Sequence, residues 1–190
     1  DLIPTADAAT LTVTTLADSG AGSLREAISL AAPGDTIEFA VTGIIFLTSG
    51  PLSIGQNLTI DGPGSGDLAI NGGNAGVFDV SSVADVTIQD IAIQDATPFS
   101  GAAAILNAGT LLLERVVVRN NQSRNGKVGI ETSGSLTLRS CLLFGNQGEF
   151  GDTVTSSGSL LEVDGTVFAQ NSMVHGSGAL SRWLLDNDLV

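Results

Sequence analysis

The stretch GTLLLERVVVRNNQ (residues 109–122) indicates the architecture of the chain, because its outline returns as GSLTLRSCLLFGNQ (residues 134–147). Within each copy the apolar residues alternate, and a period of two residues predicts β-strands rather than helices. The offset between the copies, from Gly109 to Gly134, is 25 residues. A fixed repeat of this length indicates a solenoid in which each repeat stacks on the next.

Four copies align with this offset, and each is predicted to contain two short strands separated by a corner. Parallel stacking about 4.8 Å apart would place like residues on one another. Cys141 then falls among apolar side chains, which predicts a small core residue rather than a nucleophile. The inward columns are Val86, Leu111, Leu136 and Leu161; Ile88, Leu113, Leu138 and Val163; Ile91, Val116, Cys141 and Thr166; and Ile93, Val118, Leu143 and Phe168.

Three asparagines follow the second strand at the same place in successive copies. Asn121, Asn146 and Asn171 are in register. Asparagine tolerates turn conformations and bonds its own backbone. Stacked asparagine amides can also bond from coil to coil. The sequence therefore predicts a structural side-chain ladder at these residues.

One segment near the N-terminus has helical character. Ser23 stands three residues before Glu26, which is the spacing of a capping box. Leu24, Ala27 and Ile28 fall on one helical face. A helix over residues 23–32 is expected to cover the open N-terminal end of the solenoid, where strand edges and core would otherwise be exposed.

No linker divides the chain, so the sequence predicts a single all-β domain over residues 1–190. Its parts are an N-terminal strand with the capping helix (1–35), the coils (36–172) and a C-terminal tail or cap (173–190) with Trp183 turned inward.

The charge balance excludes some classes of partner. The chain has 20 acidic and 7 basic residues, for a formal net charge of −13. Nucleic-acid binding requires clustered basic residues, so it is not expected. An anionic membrane surface would also repel this chain, and no apolar run is long enough to insert into a bilayer. The chain has a single cysteine, which cannot form an intramolecular disulfide.

The segment LTVTTLADSGAGSLREAISLAAPGDTIEF (residues 11–39) resembles the S-L-R-E-A box of bacterial secreted parallel β-helix proteins, with Gly22 where that box usually has cysteine. AAAILNAGTLLLERVVVRNNQ (residues 102–122) is similar to the degenerate repeat of the same proteins, which include pectate-lyase-like folds and polymorphic outer-membrane adhesins. The resemblance implies a right-handed parallel β-helix, secreted or at the bacterial cell surface. It implies no particular activity, since this fold hosts enzymes, adhesins and stalks.

The best candidate for catalysis is a group of charged residues on neighbouring coils. Asp90, Asp95, Arg115 and Arg119 are predicted to face outward, with Arg124 nearby. Saccharide lyases need a basic residue and glycoside hydrolases need paired carboxylates. The alternative is a set of solvated ion pairs between coils. The sequence favours the ion pairs, and thus a non-catalytic structural or adhesive module without metal or cofactor; a polysaccharide-binding or lyase-like protein is the alternative.

A second candidate site is apolar. If the flanking residues of the second strand point inward, the middle ones point outward, at Ala92, Val117, Leu142 and Val167. A stripe of this kind on a β-face usually marks a contact surface. The sequence therefore predicts packing against another copy or a protein partner. The alternative is that an upstream loop or the C-terminal tail folds over the stripe. A surface glycan is a further candidate partner of the chain.

Overall fold

The computed structural model describes residues 7–98, 104–123, 127–148, 153–157, 160–171 and 174–176. These residues wind into a β-solenoid of about six coils of about 25 residues. Leu111 pairs with Val86 on one side and Leu136 on the other, both in parallel. The predicted parallel β-helix with one N-terminal helix is therefore confirmed.

One strand and the helix precede the coils: β1 (Thr10–Val13) and α1 (Leu24–Leu30). The first three coils contain β2 (Asp35–Phe39), β3 (Gly43–Phe46), β4 (Leu52–Ile54), β5 (Leu58–Asp61), β6 (Leu68–Asn71), β7 (Phe78–Val80), β8 (Asp85–Gln89), β9 (Ala92–Gln94) and β10 (Ile105–Asn107). The next three contain β11 (Thr110–Glu114), β12 (Val117–Arg119), β13 (Gln122–Ser123), β14 (Ile130–Thr132), β15 (Ser135–Arg139), β16 (Leu142–Phe144), β17 (Gln147–Gly148), β18 (Val154–Ser156), β19 (Leu160–Asp164), β20 (Val167–Ala169) and β21 (Val174–Gly176).

Corresponding strands of successive coils form three parallel sheets. Sheet 1 has the order β1-β2-β5-β8-β11-β15-β19, sheet 2 the order β3-β6-β9-β12-β16-β20, and sheet 3 the order β4-β7-β10-β14-β18-β21. The strands β13 and β17 pair separately. Each coil thus has three main strands, whereas the sequence predicted two. The strands of sheet 3 are short and follow loops of unequal length, so their pattern does not show in the sequence.

The four predicted inward columns all lie in the core. Their most exposed member, Phe168, has 9% of its surface accessible, and most of the others have none. Stacked branched side chains therefore fill the interior from coil to coil, which removes apolar surface from water along the whole solenoid axis.

Left-handed backbone conformations recur at a corner of the coil. Between sheets 1 and 2 the chain turns at Asp90, Arg115 and Ser140, with φ of 56°, 53° and 52°. The fourth coil of this column has Gly165, with φ of 55°. Side chains at positive φ cost about 1 kcal/mol, so the fold tolerates a small local strain where glycine is absent.

The helix α1 begins at a capping box. The Oγ of Ser23 accepts a hydrogen bond from the backbone N–H of Glu26 at 3.2 Å. The Glu26 carboxylate in turn accepts from the N–H of Gly22 at 2.6 Å, one residue earlier than a standard box. At Gly22 φ is +76°, and a Cβ there would lie 2.2 Å from Oγ1 of Thr14, so this close approach requires glycine.

The buried face of α1 packs on the N-terminal end of the solenoid. Leu24, Ala27 and Ile28 are buried, and the helix contacts β1, β2 and β4. The helix ends at Leu30, two residues before the predicted end, because Ala31 is already extended with ψ of 138°. Proline disfavours helical backbone in the residue before it, so Ala32, ahead of Pro33, is also kept from continuing the helix.

Candidate functional site

Arg115 forms an ion pair with the coil before it. Its Nε and Nη2 donate to the two carboxylate oxygens of Asp90 at 2.9 and 2.7 Å. Its Nη1 lies 2.7 Å from Oε1 of Glu114. The hydrogen bonds with Asp90 are the main cause that raises the pKa of Arg115 above its usual range; burial opposes this, and the charges of Asp90 and Glu114 add to it. Arg115 is thus held as a cation and is poorly suited to abstract a proton.

Arg119 reaches an amide rather than a carboxylate. Its Nε and Nη2 donate to Oε1 of Gln94 at 2.9 and 2.7 Å. The Nε2 of Gln94 then donates to Oδ2 of Asp95 at 3.0 Å. The same oxygen accepts from Nδ2 of Asn71, also at 3.0 Å. This polar chain crosses three coils. Its members Gln94 and Asn71 were not predicted from the sequence, although Gln94 stands one repeat before Arg119.

The predicted catalytic cluster is therefore two separate groups. Asp90 and Arg115 lie at the corner between sheets 1 and 2, whereas Asp95 and Arg119 belong to the polar chain on sheet 2. Arg124 lies outside the described residues. No group of three or more His, Cys, Asp or Glu that could hold a metal ion occurs within the part of the chain that the structure describes. Both groups link successive coils through side-chain hydrogen bonds.

The three predicted ladder asparagines lie in the corner that follows sheet 2. Nδ2 of Asn121 donates to Oδ1 of Asn146 at 2.8 Å, and Nδ2 of Asn146 donates to Oδ1 of Asn171 at 3.0 Å. Asn121 and Asn146 are fully buried. The amides thus point into the solenoid and join successive coils from within.

Cys141 lies in the core. Its Sγ is 3.3 Å from the carbonyl oxygen of Leu113, which the thiol reaches as a weak donor. Burial raises the pKa of Cys141 to about 11. The thiolate is the nucleophilic form, so this protonated thiol is unreactive at neutral pH.

An ion pair that was not predicted from the sequence stabilises the N-terminal end of the solenoid. The guanidinium of Arg25 on α1 donates through Nη2 to Asp18 at 2.7 Å and to the carbonyl oxygen of Gly50 at 2.7 Å. The second oxygen of Asp18 accepts from the backbone N–H groups of Thr48 and Ser49 at 3.1 and 2.8 Å. These contacts provide hydrogen-bond partners for backbone N–H and carbonyl groups of the turn between β3 and β4, which lies in the first coil and has no earlier coil to bond.

This ion pair makes stability depend on pH. Burial favours a higher pKa for Asp18, but hydrogen bonds from Ser49, Arg25 and Thr48 outweigh it and hold the pKa well below its ordinary value. A depressed pKa stabilises the fold above the unfolded-state pKa of about 3.9, and that contribution is lost as the pH falls further. We expect Asp18→Asn to lower the urea midpoint at pH 7, and the difference from wild type to shrink between about pH 4 and pH 2. Asp85→Asn, which removes an exposed carboxylate, is the control; an equal loss in both variants would contradict this role.

The outward face of sheet 2 has a column of aliphatic side chains. Val117, Leu142 and Val167 stand in register, with 37% of Leu142 accessible and the two valines half-buried. Ala92 is in the same column but is fully buried, so its predicted place in the contact stripe is wrong. The side chain of Ala92 is a single methyl group, which does not extend far from the backbone. Gln94, the next outward residue on β9, is itself only 7% exposed, so this part of the face of sheet 2 is covered.

At the N-terminal end of sheet 2, where β3 and β6 lie, there is an open cleft of about 510 Å³. One wall is formed by Phe46 and the residues 47, 48 and 50 that follow it. The other wall is the loop 71–75 of the next coil. Phe46 is 56% exposed, which is high for an aromatic side chain.

No protein-family model matches the chain, and a search of curated proteins found none similar to it. The helix of the described region is too short to cross a membrane. His175 lies in β21, of which only the backbone is described, and Trp183 with the predicted C-terminal cap lies outside the described residues.

Proposed function

We propose that this chain is a non-catalytic structural or adhesive β-helix module, secreted or displayed at the bacterial cell surface. The observation that carries the proposal is the aliphatic column of Val117, Leu142 and Val167, which is aligned along the solenoid axis on a regular sheet. A flat apolar strip of this kind favours contact with another surface. The resemblance of residues 11–39 to secreted β-helix proteins supports the location.

The charged residues also support a role without catalysis. Asp90 and Arg115 are bonded to each other through two parallel hydrogen bonds, and Asp95 accepts from two amides. Bidentate pairs of this kind are strong and well ordered. A catalytic base or acid in either group would first have to leave these partners.

The contact proposal is tested with Val117→Lys and Leu142→Lys combined. Both side chains point outward, so the fold should persist while the two charges prevent the strip from being buried. We expect an associated wild type and a monomeric variant by light scattering. The control is Leu112→Lys with Thr137→Lys, which adds the same charges in register on the outward face of sheet 1. A monomeric wild type, or an associated double variant, would show that copies do not pair through this column.

The absence of catalysis is tested on pectin, alginate and neutral polysaccharides with calcium present. We expect no release of unsaturated or reducing ends above the background without protein. Turnover that disappears in Arg115→Ala would overturn the proposal, because that residue would then act on substrate instead of bonding Asp90.

A second candidate is saccharide binding without cleavage, and one observation favours it. The cleft between Phe46 and the loop 71–75 combines an exposed aromatic ring with amide and backbone polar groups. Ligand pockets commonly have about 300–1,000 Å³ and combine apolar walls with a few polar groups. An adhesive module could use this cleft together with the aliphatic column.

A further inference from the structure

We propose that the cleft at Phe46 is a binding site for a neutral oligosaccharide, with the Phe46 ring as the platform for one sugar ring. The proposal rests on the second function above and names its site and ligand class. Three properties of the cleft support it: the exposed ring, the fixed opposite wall and the absence of charge in its lining.

The exposed ring is the first property. The chain has only 7 Phe, 1 Trp and no Tyr, and Phe78 and Phe168 are buried in the core. Phe46 instead projects from the outward face of β3 with 56% of its surface accessible. An aromatic ring in this position offers a large, rigid apolar face at low cost in side-chain entropy. The axial C–H groups on one face of a hexose ring are apolar and fit such a platform.

The opposite wall is held in place before any ligand binds. Gly73 is in the left-handed region with φ of 56°, and its N–H donates to Oδ1 of Asn71 at 2.9 Å. The carbonyl oxygen of Gly73 accepts from both the N–H and the hydroxyl of Thr97, at 2.7 and 2.8 Å. The exposed Asn74 stands at the rim of this loop. A preorganised wall lowers the ordering cost of binding.

The lining selects an uncharged ligand. None of the nine residues that line the cleft is ionisable. The adjacent carboxylates are engaged, since Asp18 accepts from Thr48 and Asp95 accepts from Asn71. Arg25 bonds the carbonyl oxygen of the lining residue Gly50, but its charge is paired with Asp18. A chain of net charge −13 whose cleft lining contains no cation should therefore repel uronates. The Thr48 hydroxyl and the Asn71 amide already bond within the fold, so the exposed Asn74 amide at the rim is the side chain that suits the hydroxyl groups of a neutral sugar.

The experiment measures binding of short glucan, mannan, galactan and xylan oligosaccharides by calorimetry and by NMR chemical shifts of the intact chain, with oligogalacturonate as the acidic comparison. We expect at least one neutral oligosaccharide to bind in the micromolar to millimolar range, about −8 to −4 kcal/mol. Phe46→Ala should weaken binding at least about tenfold, as loss of a central aromatic contact usually does. Asn74→Ala should weaken it by a smaller factor.

Phe144→Ala is the matched control. Phe144 lies in the same outward column of sheet 2, where the register runs Phe46, Asn71, Gln94, Arg119 and Phe144, but away from the cleft. Its loss should leave affinity unchanged. Phe46→Leu keeps the apolar volume without the aromatic face, and should also lose affinity while its urea midpoint stays near that of wild type.

The proposal is overturned if no neutral oligosaccharide binds at millimolar concentration, if Phe46→Ala binds as well as wild type, or if oligogalacturonate binds more tightly. Each of those results leaves the aliphatic column and its contact test intact. Cleavage of a polysaccharide would instead overturn the non-catalytic function and leave the cleft's ligand class standing.

Discussion

Gly134→Ala is expected to lower the free energy of unfolding by about 4 kcal/mol or more, a large part of the roughly 5–15 kcal/mol that stabilises an ordinary domain. The reason is the distance between coils at this corner. A Cβ on Gly134 would lie 1.9 Å from the carbonyl oxygen of Gly109 and 2.6 Å from that of Ala108. Both obstacles are backbone atoms of the preceding coil, so relief requires the coils to separate and break the hydrogen bond from Ser135 N–H to the Gly109 carbonyl at 2.8 Å.

Gly55→Ala is the matched control, because a Cβ there meets no atom within 4 Å. We expect its urea unfolding curve to lie within about 0.5 kcal/mol of wild type. If Gly134→Ala yields no folded protein, Gly129→Ala gives a graded test, since its Cβ would lie 2.4 Å from the carbonyl oxygen of Thr153. A Gly134→Ala protein as stable as Gly55→Ala would mean that the coils are farther apart than the structure places them.

The fold could be predicted from the repeat because one offset of 25 residues applies to all four inward columns between residues 86 and 168. Leu111, Leu136 and Leu161 are aligned in sequence and paired in the structure for the same reason: parallel stacking puts like residue on like residue. The third strand could not be predicted this way. Its starting residues, such as Phe78 and Ile105, pair across coils although their separation departs from the repeat, since loops of different length precede them.

The candidate site was predictable only where partners obey the same offset. Asp90 and Arg115 are one repeat apart and do bond. Asp95 and Arg119 are not one repeat apart and do not bond directly. The amide of Gln94 lies between them, accepting from Arg119 and donating to Asp95.

The contacts of Arg25 and the cleft at Phe46 depend on how the first coils approach one another. Arg25 bonds backbone groups such as the carbonyl of Gly50, 25 residues away but outside the repeat. Phe46 is exposed because β3 is the first strand of sheet 2, with β6 on one side only, where Phe46 is in register with the polar Asn71. The contacts of Arg25 and the exposure of Phe46 cannot be predicted from the periodicity of the sequence, because both depend on the end of the solenoid rather than on its repeat.

Asn146→Ala is expected to lower the free energy of unfolding by about 3–5 kcal/mol, because it removes the middle rung of a buried ladder. Oδ1 of Asn146 accepts from the N–H and from Nδ2 of Asn121, at 3.2 and 2.8 Å. Its Nδ2 donates to the carbonyl oxygen of Val118 at 2.8 Å and to Asn171. Alanine leaves these groups without that partner in the interior, and each unsatisfied buried group costs about 1–3 kcal/mol.

The control is Asn120→Gly, next to the ladder residue Asn121 in the preceding coil. Asn120 is exposed and has a φ of 54°, so glycine removes local strain without touching the ladder. We expect it to change stability by less than about 1 kcal/mol, in the stabilising direction. Equal effects of Asn146→Ala and Asn120→Gly in urea unfolding would show that the ladder contributes nothing beyond the corner backbone.

Asn146→Asp separates hydrogen bonding from volume, because the two side chains have nearly the same shape. An ionised carboxylate could still accept from Asn121, but it could not donate to Val118 or Asn171, and full burial penalises its charge. Both effects raise the pKa of the introduced carboxyl in the folded state above its unfolded value of about 3.9. The folded state of the Asn146→Asp variant is then least destabilised below about pH 4, where the carboxyl is protonated, and it loses stability as the pH rises toward the raised pKa. We therefore expect the deficit of Asn146→Asp relative to wild type to grow from pH 4 to pH 7, while that of Asn146→Ala stays constant; parallel pH profiles for the two variants would contradict a ladder that depends on the donor Nδ2.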